Sequence, residues 1–582
     1  MKNNFEKAMT KKKKFKNVQK KALSQKQQHV IEFAKTAWSK TQQDFFFPPL
    51  DEPNFIFDYS NLEGFYIDPQ DKWKITMNLA NTPLFIEDRD YINYFYAISL
   101  HEVSHYQIIP YDGLINARLL KAAMTYVNEN FAPIVVNVFA DFVIDTKLHN
   151  KKPDLISWEL NKTYNNLIEK TKNKLSEFSK FLFRCYEKLL DIKIAEDEEF
   201  SSVDSVASRV VNVVKKNFED ETLWEDKVSR IAYHLKSLVN NTFTLIGPRT
   251  SSSDGKANRK SQGRGGSNVE FPEEILEIMD NPLENKNRDK LKKDKDDELR
   301  QKAEEFAIET PYSEFGAPAG QAGIMIDGNP LATWYRGLAK DLIQIKIYEE
   351  KPGGQLPIYP EVWRLGEPLE ELDIVQTVLS SPIIIPNITT RKWAKKLGEG
   401  HLIEKQIPDL LLVLDSSGSM KWNYLASKAS GVYHTALMAS FAALHFVANK
   451  GVKFSVINFS NRADICDWTN NYHKAEQILL RYQGGGTQLP IKAIVKQCEK
   501  SERDTLIFII TDFGIYNWNS AKKLLLNLSN RGHKIVGFFI GASNLPKDKF
   551  KDLLEKVTFY PIKNSKNLIN LVIEEVRKYY VE

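Results

Sequence analysis

The sequence predicts an α/β protein: a mainly helical N-terminal domain followed by a C-terminal, doubly wound, mostly parallel sheet. Three patterns carry that prediction. From residue 408 onward, short apolar runs alternate with helical stretches, the order that builds a parallel sheet with helices on both faces. Before residue 247, apolar residues recur mostly at helical spacing, as in LIEKTKNKLSEFSKFLFRCYEKLL. Between the two lies GPRTSSSDGKANRKSQGRGGS, a polar Gly/Ser-rich stretch with nothing to bury. The chain has 582 residues, enough for roughly two to four domains.

Taken in order, residues 1–26 hold ten Lys and one Glu, a local charge of +9, so the overall +5 leaves −4 for the rest. Such a tail is expected to be disordered and solvated. It could touch nucleic acid or acidic lipid, but no aromatic-interleaved basic motif makes nucleic acid the expected partner. No stretch approaches the ~18 apolar residues of a membrane span, and the first residues lack the apolar core of a secretory signal. Cys185, Cys466 and Cys498 show no metal-ligand spacing and read as reduced thiols, so a cytoplasmic protein is expected.

Residues 27–246 read as one domain. Phe65–Leu79 is strand-like, and Asp90–Leu100 is an aromatic-rich helical run leading into AISLHEVSHY. That segment holds His101, Glu102 and His105 in the pattern His-Glu-x-x-His. Residues four apart share a helix face, so both imidazoles can reach one ion, with Glu102 beside them as a candidate base. Zn²⁺ suits two such imidazoles, a third protein ligand and a water. A second apolar helix, VVNVFADFVIDTKL, puts Asn137, Asp141 and Asp145 in line at i, i+4 and i+8. Polar groups on an otherwise apolar helix need buried partners. Either they make helix-packing hydrogen bonds, or Asp141 is the third ligand while Asp145 or Asn137 orients a ligating His. Asp154–Thr244 follows as amphipathic helical cover. No group stands out for stabilising an oxyanion; Tyr106, Tyr111, Arg118 and His149 are the nearest candidates.

Residues 247–270 form the expected disordered linker. Residues 271–407 combine a charged helical stretch at Pro272–Phe306, a second at Trp334–Lys346, and a Pro-rich segment containing Trp363 and Gly366. Their Pro and Trp content predicts an integrating region packed on the C-terminal domain.

Residues 408–582 open on DLLLVLDSSGSM. Leu410–Leu414 suits a strand buried on both faces. It stops at Asp415, Ser417 and Ser419, three oxygen-bearing side chains at the end of the sheet where open α/β folds place ligands. A helix near Ala426–Asn449, a hairpin of Val452–Phe459 and Ala463–Trp468, and a helix near Pro490–Lys500 are predicted next. QGGGTQL, a Gly-rich loop, presents Thr487, and TLIFIITDFG is another buried strand ending at Asp512. A helix near Asn519–Arg531, the strand Lys534–Ile540, a helix near Lys547–Val557, the strand Thr558–Ile562 and an amphipathic helix Asn567–Tyr580 complete the alternation.

DLLLVLDSSGSM, QGGGTQL and TLIFIITDFG together resemble the von Willebrand factor A (vWA) family, a Rossmann-like fold, and its metal-ion-dependent adhesion site. The resemblance covers about 175 residues. It implies that Ser417, Ser419 and Thr487 bind Mg²⁺ (or Mn²⁺) directly, that Asp415 and Asp512 hold it through water, and that a protein partner donates a carboxylate. Phe513, where many members have Gly, departs from the pattern. HExxH followed by NxxxDxxxD, ahead of such a domain, resembles a group of bacterial and archaeal metallopeptidase-like proteins with a zincin-like N-terminal half. That resemblance implies His101, His105 and Asp141 as Zn²⁺ ligands and Glu102 as base. A zincin's third ligand is more often Glu, so Asp141 is a departure.

Two functions follow as expectations. One is a zinc-dependent hydrolase, a metallopeptidase acting on a protein or peptide client brought by the vWA domain. The other is a non-catalytic, metal-dependent adaptor. Proteins of this resemblance commonly work with a MoxR-type AAA+ ATPase.

Overall fold

The computed structural model describes residues 24–45, 51–59, 65–68, 74–172, 174–245, 269–270, 275, 293–325, 328–344, 357–395, 408–426, 428–448, 450–501, 503–512, 514–541, 550, 552–563 and 566–580. Residues 1–23 of the expected tail and 247–268 of the expected linker lie outside these. The chain divides into two units, Met1–Trp334 and Tyr335–Glu582.

The first unit opens with α1 (Gln25–Asp44), started by a capping box in which Ser24 and Gln27 satisfy each other's backbone N–H. So Ser24–Lys26, assigned from sequence to the tail, already belongs to a helix start. Next come β1 (Asn54–Ile56), β2 (Phe65–Asp68) and β3 (Lys74–Asn78), a small sheet in the order β1-β3-β2. The single strand-like run expected over Phe65–Leu79 is thus two antiparallel strands, β2 and β3. Ala37 and Trp38 of α1 pack with Phe65, Ile75 and Met77 of this sheet.

Then follow α2 (Asp88–Gln107), α3 (Gly113–Ala123), α4 (Ala132–Lys151), α5 (Pro153–Thr171), α6 (Glu177–Leu190), α7 (Asp204–Lys215) and α8 (Trp224–Thr242). Helix α4 is buried around nearly its whole circumference, from Ile134 and Val135 to Phe142 and Ile144. A helix apolar on every side sits at the centre of its unit, and α2, α3, α5, α6 and α8 all pack on it.

A short pair, β4 (Thr244–Leu245) and β5 (Val269–Glu270), precedes α9 (Lys293–Glu309), α10 (Tyr312–Gln321) and α11 (Pro330–Gln344). Here the architecture departs from the expected 271–407 region. Helices α9 and α10 pack on α3 within the first unit. Arg118 clamps Glu309 at 2.6 and 3.0 Å, and Lys302 meets Asp112 at 2.6 Å. The charged face of α9 reads as solvated in sequence; in the fold part of it pairs across helices.

The second unit contains the hairpin β6 (Pro357–Val362) and β7 (Arg391–Lys395), with α12 (Ile374–Ser380) between them. Its main body is a six-stranded sheet: β8 (Asp409–Asp415), β9 (Phe454–Phe459), β10 (Ala463–Thr469), β11 (Thr505–Thr511), β12 (Lys534–Ile540) and β13 (Thr558–Ile562). The strand order is β10-β9-β8-β11-β12-β13, parallel except for β10. Helices α13 (Val432–Ala448), α14 (Tyr472–Leu479), α15 (Ile491–Lys500), α16 (Trp518–Asn530) and α17 (Lys566–Tyr580) alternate with the strands. The mixed α/β architecture and mostly parallel C-terminal sheet are as the sequence predicts.

Around the sheet, some elements differ from expectation. Helix α13 begins at Val432 rather than near Ala426, because Gly431 adopts φ +110° and a Cβ there would meet the Lys421 carbonyl oxygen at 2.3 Å. Helix α14 falls in a stretch assigned no element from sequence; at eight residues it is short for a periodicity signal. Of the helix expected near Lys547–Val557, residues 547–549 and 551 lie outside the described residues, and 552–557 form turns and a bend rather than helix.

Candidate metal centres

In the first unit, α2 and α4 cross so that the HExxH face meets Asp141. His101 Nε2 and His105 Nε2 lie 3.3 Å apart. Asp141 Oδ1 is 3.3 Å from His105 Nε2 and 3.7 Å from His101 Nε2. A tetrahedral ion with ligands at about 2.0–2.1 Å separates its ligand atoms by about 3.3 Å, so this triangle has the size of one face of that tetrahedron.

The other ends of the three side chains are tied down. His101 Nδ1 meets Asp145 Oδ1 at 2.8 Å, and Tyr186 Oη on α6 donates to Asp145 Oδ2 at 2.8 Å. His105 Nδ1 meets the Ile109 carbonyl at 3.2 Å. Asn137 Nδ2 donates to Asp141 Oδ2 at 3.0 Å. Of the two orienting residues the sequence offers, Asp145 therefore holds a His and Asn137 holds the Asp. With both Nδ1 atoms engaged, both Nε2 atoms face the same point.

Asp141 Oδ1 is the informative atom. It is buried and has no hydrogen-bond partner among the described residues. Its neighbours are the two imidazole Nε2 atoms at 3.3 and 3.7 Å; a buried carboxylate oxygen without a well-formed hydrogen bond is costly, and a cation at the triangle's centre would satisfy it. Burial alone would raise the Asp141 pKa, but His101 and His105 outweigh it and hold the group below its usual range. Burial likewise pulls His101 down, yet the carboxylates of Asp145 and Asp141 win and keep the imidazole well above its ordinary value. Ligation needs the neutral ring, so ion uptake here would release a proton.

Two residues absent from the sequence reading stand near this cluster. Tyr186 lies on the apolar face of α6; a buried Tyr hydroxyl needs a partner, and that rule was the available signal. Glu159 on α5 accepts from Thr163 Oγ1 at 2.6 Å, and burial, with the charge of Asp145 adding, pushes its carboxyl up to about 7. Glu102 is buried on α2, at 6% exposure. The oxyanion candidates are engaged elsewhere: Tyr111 with Glu221, Arg118 with Glu309, and His149 with Ser157. Nothing is described of the Tyr106 side chain.

In the second unit, β8 and β11 are neighbours, and β9 pairs with the other edge of β8. The chain therefore leaves β8 to one side and later returns to the other, a topological switch point where open sheets bind ligands. Asp415 ends β8 and is fully buried. Its Oδ1 accepts from the Ser417 N–H at 2.8 Å, and its Oδ2 from Thr511 Oγ1 at 2.5 Å. Ser417 Oγ and Ser419 Oγ are 3.1 Å apart. An octahedral ion with oxygens at about 2.0–2.1 Å sets adjacent oxygens about 2.9 Å apart, so the two hydroxyls suit neighbouring vertices.

The Gly-rich loop locks onto this turn. Gly418 N–H donates to the Gly485 carbonyl at 2.8 Å, and Gly484 N–H to the Ser416 carbonyl at 2.8 Å. A Cβ on Gly418 would stand 2.9 Å from the Gly484 carbonyl oxygen, so only glycine allows that approach. Thr487 Oγ1 and Asp512 Oδ1 flank Gly514, at 3.6 and 3.5 Å from where its Cβ would be. Burial raises the Asp415 pKa and the charge of Asp512 adds to it, against hydrogen bonds from Thr511 and Ser417. A cation would relieve that repulsion. Phe513 lies outside the described residues.

Among the described residues no helix is long and apolar enough to cross a membrane. No known family matches the chain, and no curated protein does. Among solved structures, the chain overlaps the pilus adhesin SpaC from Lactobacillus rhamnosus GG at 10% identity and a TM-score of 0.25, over 30% of this chain and 31% of that one. It spans less than a third of the adhesin's length. It also overlaps an uncharacterized membrane spanning protein from Vibrio fischeri at 17% identity and a TM-score of 0.14, over 29% of this chain and 97% of that one. Scores this low carry no argument about fold or function.

Proposed function

We propose that this chain is a zinc-dependent hydrolase, a metallopeptidase in class, whose vWA-type C-terminal unit recruits a protein partner or client through a Mg²⁺ (or Mn²⁺) site. The single observation that carries the hydrolase reading is the buried Asp141 Oδ1, without a well-formed hydrogen bond, facing two oriented imidazole Nε2 atoms. His101, His105 and Asp141 would hold the zinc. The ion would supply Lewis acidity, polarising a carbonyl and lowering the pKa of water. Asp145 and the Ile109 carbonyl keep the imidazoles aimed, and Tyr186 fixes Asp145. Glu102 is the group to accept the proton of the attacking water and return it to the leaving amine.

In the second unit, Ser417, Ser419 and Thr487 would hold the cation, with Asp415 and Asp512 behind them, and a partner's carboxylate would complete its shell. The resemblance to vWA proteins suggests a MoxR-type AAA+ ATPase as that partner. We take the setting as cytoplasmic; the three cysteines, all free and buried, support it.

A second reading, a non-catalytic adaptor, is favoured by the recessed position of the first centre. The side chains of His101, His105 and Asp141 are only 20%, 14% and 3% exposed, little room for a polypeptide. Metal analysis of the purified protein combined with a peptide-library cleavage assay separates the two. Stoichiometric zinc with Glu102-dependent cleavage is expected of the hydrolase; stoichiometric zinc without cleavage supports the adaptor.

A further inference from the structure

The loop that presents Thr487 also walls a cavity of about 590 Å³ in the second unit. One side is aromatic: the Trp422 ring lies 4.4 Å from Tyr424 and 5.9 Å from Tyr482. Arg462, Arg481 and Asp464 line the remainder. The aromatic side is anchored, because Trp422 Nε1 donates to Tyr335 Oη at 2.9 Å and Tyr482 packs 5.0 Å from the buried Tyr433 ring. The cavity adjoins the cation turn directly: Tyr482 Oη donates to the Ser417 carbonyl at 3.1 Å.

Its charges are unevenly satisfied. Asp464 accepts from Gln483 Nε2 at 3.4 Å. Arg462 and Arg481 are both exposed, and neither guanidinium has an ion-pair partner among the described residues. Two unpaired guanidinium groups beside an aromatic wall make a receptor for a carboxylate on an apolar stem: the fork binds the oxygens and the rings cover the methylenes.

We propose that this cavity receives a second acidic side chain, from the extended segment of a protein partner whose first carboxylate meets the cation at Ser417 and Ser419. The proposal rests on the adhesion-site reading above. Side chains i and i+2 of an extended segment point the same way about 7 Å apart, so an acid-x-acid pattern suits two receptors that share the Tyr482–Ser417 wall. One carboxylate on an exposed cation discriminates poorly among partners. A second, read by Arg462 and Arg481, would supply the selectivity.

The test uses the full chain with saturating Mg²⁺ and two fluorescein-labelled probes, hexaglutamate and a hexapeptide with one Glu among glycines. Hexaglutamate should bind at least tenfold more tightly. Arg462→Glu with Arg481→Glu should erase that advantage and leave single-Glu binding within about twofold. Tyr424→Ala, which keeps both charges, should cut the advantage severalfold, a response that diffuse charge attraction would not give. Asp415→Ala should remove binding of both probes. An advantage that survives the double Arg reversal, or no saturable binding of hexaglutamate at millimolar concentration, overturns the cavity proposal. Binding of both probes that is indifferent to Asp415→Ala overturns the adhesion-site reading itself, and the proposal with it.

Discussion

At the residue scale, the chemistry of the first centre turns on which atoms are already engaged. Asp145 is occupied by His101 and Tyr186, so it is an orienting group, whereas Asp141 keeps one oxygen free to ligate. Replacing Asp145 by Asn should keep all three ligands yet weaken zinc binding about 10- to 100-fold, the usual cost of losing such a support; competition against a chelating dye measures it. Zinc affinity should also depend on pH in one direction. His101 is held well above its ordinary pKa and must lose its proton to ligate, so affinity should fall as pH drops, by up to about tenfold per unit below the folded pKa. Glu102→Gln cannot accept a proton. If the chain is a hydrolase, it should keep stoichiometric zinc and lose about two to four orders of magnitude in rate. Full cleavage by this variant would end the hydrolase reading.

At the element scale, the second centre is built by the junction of β8 and β11. Thr511 Oγ1 donates to the Asp415 carboxylate from the end of the neighbouring strand. Thr511→Val should therefore weaken Mg²⁺ binding by roughly tenfold, since a buried carboxylate that loses one donor is costlier to hold in place. Asp415→Ala should abolish binding, and calorimetric Mg²⁺ titration checks both. Behind the sheet, His434 of α13 sits in a clamp with Tyr335. Tyr335 Oη accepts from Trp422 Nε1, and its own proton is then directed at His434 Nδ1, 2.8 Å away, which accepts only in the neutral ring. Burial pushes the His434 pKa down to about 4. The sign follows: the unfolded chain takes up a proton near pH 6.5 that the folded ring refuses. This contribution is complete above about pH 6.5 and is lost as pH falls toward 4, on the order of 3 kcal/mol at most. His434→Gln should flatten that part of the stability–pH curve, read by denaturant unfolding at pH 4.5, 5.5 and 7.

At the scale of the whole molecule, each unit carries its own core and its own candidate centre. The two metals should therefore be separable by single substitutions. His105→Ala should lose stoichiometric zinc and keep the Mg²⁺ response, because two ligands hold zinc poorly; Asp415→Ala should do the reverse. Elemental analysis and calorimetry on the same two proteins check this. Loss of both metals in either variant would mean that the centres depend on each other.

What the sequence determined by itself is what depends on local spacing. The strand Lys534–Ile540 has the bounds read from its apolar run, because burial on both faces leaves an unbroken apolar string, and the half-buried edge strand Thr558–Ile562 also has its expected bounds. His101 and His105 share a face because an α-helix repeats every 3.6 residues. Tertiary structure alone decided matters between residues far apart in the chain. It decided that Asp145, rather than Asn137, orients His101, since these two groups in line with Asp141 on α4 look alike until α2 and α6 pack on them. It supplied Tyr186, whose partner is 41 residues away. It put α9 and α10 on α3 through ion pairs spanning 191 residues, such as Arg118–Glu309. Periodicity carries no information about such pairs, because their free energy exists only once the chain has brought them together.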